Sequence, residues 1–304
     1  MNISIIVSDI LERSTVYLLA TEGSLIVQRA GLLNLGIEGF FAIAALVAYA
    51  VAVYTGNVIY AFIAATISAI AFNMIFTVLT VHLRLNHIVS GLAVSMLGIG
   101  ISYTLGIVLV GVPLPSTITI PTISICGVCI DPLILTSIIV AVLLWYMLYR
   151  TRIGYEIRIV GENPHAADLL GISINKVRYV ATLIEGFLVG LGAAYYSLEV
   201  IPVWSTGVTL GKGWLAIALA MFSLWHPIYA IVGAYLIACS DTLATILPRL
   251  GIPVSPYLLY TLPYALTIGV LAVVSYIEIR KKKLGIPTAL AKVYSREEKA
   301  RKYT

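Results

Sequence analysis

Apolar residues fall along this chain in long runs divided by short polar breaks, not in the alternation of half-buried strands. The run Val58–Val81 is long enough, at ~1.5 Å per residue, to cross a hydrocarbon core of ~30 Å. Similar runs cover residues 4–20, Phe40–Tyr54, Ile88–Val110, Leu133–Tyr149, Tyr179–Leu198, Ile228–Leu247 and Tyr257–Ile277. Two stretches are poorer. Thr21–Gly39 mixes Glu22, Gln28, Arg29, Asn34 and Glu38 with repeated glycines, and Leu210–Leu224 is short, ending at Trp225-His226-Pro227 where proline removes a helix donor. The pattern predicts an all-α, polytopic helical membrane protein of about eight hydrophobic segments, with 21–39 and 205–225 as broken or re-entrant pieces. No internal repeat is evident.

One long polar interruption, Arg150–Arg178, holds a short helix marked at both ends. Asn163 suits the N-cap, Pro164 the first helical position, and Gly171 the left-handed stop. Between them Ala166, Leu169 and Leu170 share one face, while His165 and Asp168 share the other side. Two turns of helix are too short to be stable alone, so this one needs a surface to dock on.

Composition turns the pattern into a membrane assignment. The chain is 60% hydrophobic and 11% charged, with a mean hydropathy of +1.01. A soluble domain with so little polar surface would not stay in solution. Of 19 Lys and Arg, five lie in 150–178 and nine in Arg280–Lys302. Such clustering marks cytoplasmic segments, so we expect a membrane domain over 1–279, a cytoplasmic loop at 150–178 and a basic cytoplasmic tail at 280–304. Charge so placed argues against nucleic-acid binding. The tail reads as a solvated charge run, or as one that holds anionic membrane lipid. The N-terminus lacks a basic region and a cleavage site, so no removable signal peptide is expected. Cys126 and Cys129 form a C-x-x-C in the external loop Gly111–Pro132; with no His or further Cys nearby they read as incidental cysteines or a local disulfide.

No enzyme constellation and no metal set appear. Gly211-Lys212-Gly213 lacks phosphate-loop spacing, and the four histidines are scattered, with His82 and His87 flanking an interfacial turn at Arg84. Charges at bilayer depth cost roughly 2.5–3.5 kcal/mol each, which singles out Glu38, Glu185 and Asp241, with Asn73 and Asn86 as polar companions. Glu185 and Asp241 fall towards segment ends, where the interface or a neighbouring helix can satisfy them. Glu38 sits between Gly36 and Gly39 with Asn34 nearby, and is the best candidate for a polar pathway. Trp204 and Trp214 flank an external turn and suit either packing or an entrance. An ion-coupled carrier using these carboxylates is the rival reading, but it has no need of a docking helix.

These residues resemble a family. The loop R-I-V-G-E-N-P-H-A-A-D-L-L-G-I is similar to the cytoplasmic coupling loop of permease subunits in prokaryotic ABC importers for branched-chain amino acids, simple sugars and nucleosides. Ala30-Gly31-Leu32-Leu33-Asn34-Leu35-Gly36-Ile37-Glu38-Gly39 resembles the A-G-x-x-N-x-G-x-E-G signature of the nucleoside and simple-sugar members. Gly213-Trp214-Leu215-Ala216-Ile217-Ala218-Leu219-Ala220, running into Trp225-His226-Pro227, resembles their G-W-x-A-I-A-x-A and W-x-P segment. The likeness runs from about residue 15 to residue 278. Val27-Gln28-Arg29 and Ser95 depart from it, at positions placed near the pathway.

The resemblance implies a multi-pass plasma-membrane permease that is not itself an enzyme and binds no cofactor. ATP and Mg would sit on partner ATP-binding subunits. Further implied partners are a second, paralogous permease, suggested by His87-Ile88-Val89-Ser90-Gly91, and an external substrate-binding lipoprotein. The implied coupling residues are Gly161, Glu162, Asn163, Pro164, His165, Ala166, Ala167, Asp168, Leu169, Leu170 and Gly171. Here Leu169 or Leu170 would anchor in the partner, the alanines would allow close approach, and Glu162, His165 and Asp168 would form a polar rim. Candidate pathway residues are Asn34, Glu38, Asn86, Ser90, Ser95 and Trp214, serving a nucleoside or simple sugar, with a branched-chain amino acid as the alternative.

Overall fold

The computed structural model describes residues 3–125, 127–209, 211–250, 255–281 and 286–294. The chain forms α1 (Ile3–Arg29), α2 (Ile37–Thr55), α3 (Val58–Thr77, continued by a π turn to His82), α4 (His87–Gly106) and α5 (Pro132–Arg150). Then follow α6 (Arg152–Glu162), α7 (Pro164–Leu169), α8 (Ile174–Tyr195, with a π turn to Val200), α9 (Lys212–Phe222), α10 (Pro227–Arg249) and α11 (Pro256–Lys281). Among the described residues, six helices are long and apolar enough to cross a membrane: α2, α3, α4, α5, α8 and α10. The protein is therefore a polytopic helical membrane protein, as the pattern predicts. Its one described sheet is a small antiparallel hairpin, β1 (Ile123–Ile125) with β2 (Val128–Ile130), inside the loop Gly111–Pro132. Cys126 lies outside the described residues; the Cys129 amide donates to Ser8 Oγ at 2.9 Å.

The centre of the bundle is α1. Every residue from Arg13 to Gln28 is buried, so this helix has no lipid-facing side. That corrects the reading of Thr21 onward as a broken piece: α1 runs unbroken to Arg29, because Glu22, Ser24 and Gln28 face protein rather than lipid. The break comes later, at Ala30–Gly36, where non-helical backbone is enclosed by protein, the condition under which such backbone is tolerated at depth. Close crossings rest on small residues. A Cβ on Gly98 would lie 2.5 Å from the Gly39 carbonyl oxygen, so α2 and α4 touch backbone to backbone there.

Near the hairpin face, Asp241 of α10 accepts from Arg13 (3.1 Å), Tyr17 (3.0 Å) and Lys212 (3.0 Å), and Arg13 also bonds Asp9 (3.0 Å). This buried network ties α1, α9 and α10 together and gives Asp241 three internal partners.

Candidate functional site

The helix α9 has 11 residues, about 16 Å at ~1.5 Å per residue, roughly half of what a bilayer crossing needs. Its two ends must therefore be satisfied within the protein. At the N-terminus, Glu38 accepts from the amides of Gly211 (2.7 Å), Gly213 (2.8 Å) and Trp214 (3.3 Å), placing a carboxylate where the helix dipole favours one. At the C-terminus, Leu224 and Trp225 both adopt left-handed backbone, φ 54° and 52°, to turn the chain into α10. Arg29 donates to the carbonyls of Trp225 (2.9 Å) and Leu224 (3.3 Å), and the Trp225 indole donates to Gln28 Oε1 (2.7 Å). Both ends of the half-helix are thus held by one short stretch, residues 28–38. The expected broken piece at 205–225 is this half-helix with the loop before it.

Within the same stretch Asn34 donates to Asn73 Oδ1 (2.9 Å) and Glu185 Oε2 (2.7 Å), and Asn73 donates to Glu185 Oε2 (3.0 Å). All three are buried, joining the α1–α2 break to α3 and α8. Because α8 begins at Ile174, five residues earlier than its apolar run suggests, Glu185 lies in mid-helix and not at the interface. Glu185 Oε1 has no hydrogen-bond partner among the described residues.

The remaining pathway candidates separate. Asn86 is exposed and caps α4 by accepting from Ile88 (2.9 Å) and Val89 (3.2 Å). Ser90 and Ser95 are buried, Ser95 where α4 crosses α2 at Gly39. Trp214 is 46% exposed, at the N-terminal end of α9. Gln28 clamps Trp225 and does not face open space, so the departure at Val27-Gln28-Arg29 bears on α9's anchorage. Gly207 and Gly211 lie against the hydroxyls of Tyr103 and Tyr264, two aromatic residues the sequence reading left unassigned.

The loop 150–178 contains α7 as expected. Asn163 Oδ1 accepts from Ala166 (3.1 Å), Pro164 opens the helix, and Gly171 takes φ 75°. Leu169 and Leu170 are 80% and 65% exposed, with nothing among the described residues covering them. Ala167 is fully buried against its own chain, so its side chain seats α7 on the bundle. His165 is half-buried and packs on the Tyr294 ring at 5.1 Å.

The sequence reading also missed α6, which carries α7. Its buried face is Gly154, Ile157, Val160 and Gly161, a helical spacing that charges and glycines obscure. A Cβ on Gly161 would lie 1.9 Å from the Arg29 carbonyl oxygen, so only glycine lets α6 meet the start of the α1–α2 break. The tail closes over this contact. Ala289 donates to the Gly161 carbonyl (2.9 Å), Ala291 to the Gly31 carbonyl (3.2 Å), and Thr288 bonds Glu162. Residues 286–294 therefore rest on the loop and on the α1–α2 break, on the same face as the basic loop, while most of the basic residues of the expected solvated tail lie outside the described residues.

A bundle built round a buried helix, with an internally capped half-helix and a rigid, leucine-tipped surface helix, defines a multi-pass membrane transport component. Residues 6–271 match the family described as the branched-chain amino acid transport system / permease component, and the chain belongs to that family. It is 32% identical to the putative glucose ABC transporter permease protein of Haloferax volcanii, over 94% of this chain and 96% of that one. It is 31% identical to the nucleoside ABC transporter permease protein NupC of Lactococcus lactis, over 89% and 92%, and 30% identical to the guanosine ABC transporter permease protein NupQ of Bacillus subtilis, over 88% and 90%. No solved structure matches the chain.

Proposed function

We propose that this chain is the permease subunit of an ATP-driven importer carrying a nucleoside or simple sugar, with its basic loop and C-terminal tail in the cytoplasm of a prokaryote. The observation that carries the reading is the pair Leu169 and Leu170, solvent-exposed at the tip of a capped helix whose base is fixed to the bundle. Two adjacent leucines so displayed suit insertion into a groove on a partner. The ATP-binding subunits would supply ATP and Mg, a binding lipoprotein would deliver cargo at the hairpin face, and a second permease would complete the pathway.

The contacts suggest the route of coupling. Displacement of α7 moves α6, and Gly161 of α6 abuts the Arg29–Gly31 backbone. The longer stretch 28–38 to which these residues belong holds both ends of α9 and, through Asn34, α3 and α8. Trp214, Tyr103 and Tyr264 gather at the α9 N-terminus, where flat aromatic faces and hydroxyls suit a base or a sugar ring. Asn34 and Glu38 frame that surface in place of contacting cargo. The ion-coupled reading loses ground at Glu38 and Asp241, each occupied by internal partners, and keeps only Glu185, one of whose oxygens has no partner among the described residues.

The test is Leu169→Asp in the co-expressed complex. The variant should reach the membrane in normal amount but no longer co-purify with its ATP-binding subunit; retention of the ATPase would remove α7 from the interface.

A further inference from the structure

The face bearing the basic loop holds a cavity of about 540 Å3 that the coupling route does not use. Its wall includes His82 and Arg84 from the end of α3, Asp168 of α7, Asn175 and Arg178 from the first turns of α8, and Tyr294 of the tail. That volume falls within the ~300–1,000 Å3 of ordinary small-molecule sites. Its charge is unbalanced, with two arginines against one carboxylate. Arg84 and Asp168 are each engaged within the chain, and His82 Nδ1 pairs with the Tyr179 hydroxyl at 2.9 Å.

Arg178 is different. It is 2% exposed, yet its Nε and Nη2 have no acceptor among the described residues. Beside it His87 is fully buried, with both ring nitrogens unpartnered. A guanidinium keeps its charge when buried, so its planar fork of donors favours acceptors that carry negative charge, and it matches the oxygens of a phosphate two at a time. Arg178 lines the cavity but its free nitrogens are themselves buried, so the fork must swing outward to meet a ligand.

We propose that this cavity is an anion site that takes a phosphate group, with Arg178 as the bidentate donor and Asn175 at its rim. The phosphate can come from a soluble molecule or from a lipid headgroup, and composition of the surrounding bilayer distinguishes them. The experiment measures binding of radiolabelled orthophosphate to the assembled transporter in phosphatidylcholine nanodiscs, with and without added phosphatidylglycerol. We expect saturable binding in pure phosphatidylcholine, weakened at least about tenfold by Arg178→Gln and unchanged by Arg150→Gln, which lies outside the cavity. Asn175→Asp, at an exposed position, places a carboxylate at the rim and should abolish binding even where Arg178→Gln fails to fold. Binding that persists with phosphatidylglycerol present identifies a soluble ligand; binding displaced by it identifies a headgroup. Equal binding by the Asn175→Asp variant overturns the proposal. So does the lack of phosphate binding in phosphatidylcholine, the outcome if a partner's carboxylate fills the cavity.

Discussion

At the scale of single residues, two of the carboxylates singled out for their depth, Glu38 and Asp241, are held by internal partners. Glu38 meets three backbone amides, and Glu38→Gln leaves at least one of them facing an amide nitrogen. The cost is about 1–3 kcal/mol for a buried donor left unmet. The expected result is a lower melting temperature and a fall in maximal transport rate with unchanged apparent affinity. Trp214→Ala should do the reverse, raising KM for cargo with little effect on melting. Uptake kinetics beside thermal unfolding separate the two roles. Asp241→Asn leaves Arg13 and Lys212 short of their counter-charge, a loss of about 3–5 kcal/mol when a buried pair is broken. Expression should collapse in that variant, and Asp241→Asn with Lys212→Met should recover part of it; no recovery would mean that the pair is not what holds α9 to α10.

At the scale of elements, the long spans, the split at Trp225-His226-Pro227 and the capped α7 were legible in the sequence. Each rests on a local signal: apolar run length, a proline, or an N-cap with a glycine stop. What was illegible depends on distant partners. Glu22 and Gln28 made α1 look broken because polarity in a sequence does not show which side chains will be enclosed by protein. The start of α8 was placed late because Ile174–Arg178 carries charge that the first turns of a membrane helix tolerate. The end-capping of α9 joins residues 173 to 197 positions apart, and no pattern within either stretch reveals it. The α6 contact makes a prediction of its own. Gly161→Ala inserts a methyl group where a backbone oxygen sits, so α6 must lift from the bundle. ATP-binding subunits should still associate, since α7 is intact, while ATP hydrolysis is uncoupled from uptake. Normal uptake by that variant would break the proposed route at its first joint.

At the scale of the whole molecule, the C-terminal segment latches the loop that carries α7 to the break between α1 and α2. Truncation before Ile286 removes the bonds from Ala289 to Gly161 and from Ala291 to Gly31, along with the Tyr294 contact to His165. Hydrogen exchange of the α6 and α7 amides should then quicken about tenfold for a loss of ~1.4 kcal/mol of local stability, with exchange in α2 and α3 unchanged. Uniform quickening would mean that the tail stabilises the bundle as a whole and not the loop.

The clamp on α9 also orders the making of the protein. Chains emerge from the ribosome N-terminus first, so Arg29 and Glu38 are in the membrane long before Lys212 is translated. A helix of 11 residues gives the insertion machinery too little apolar length to release it sideways into lipid as a span of its own. It can settle only against a seat already assembled, so α1 and α2 act as a template for the later half of the chain. Damage to that template strikes during synthesis, and its signature is a nascent chain stalled and degraded before any finished transporter exists to be assayed.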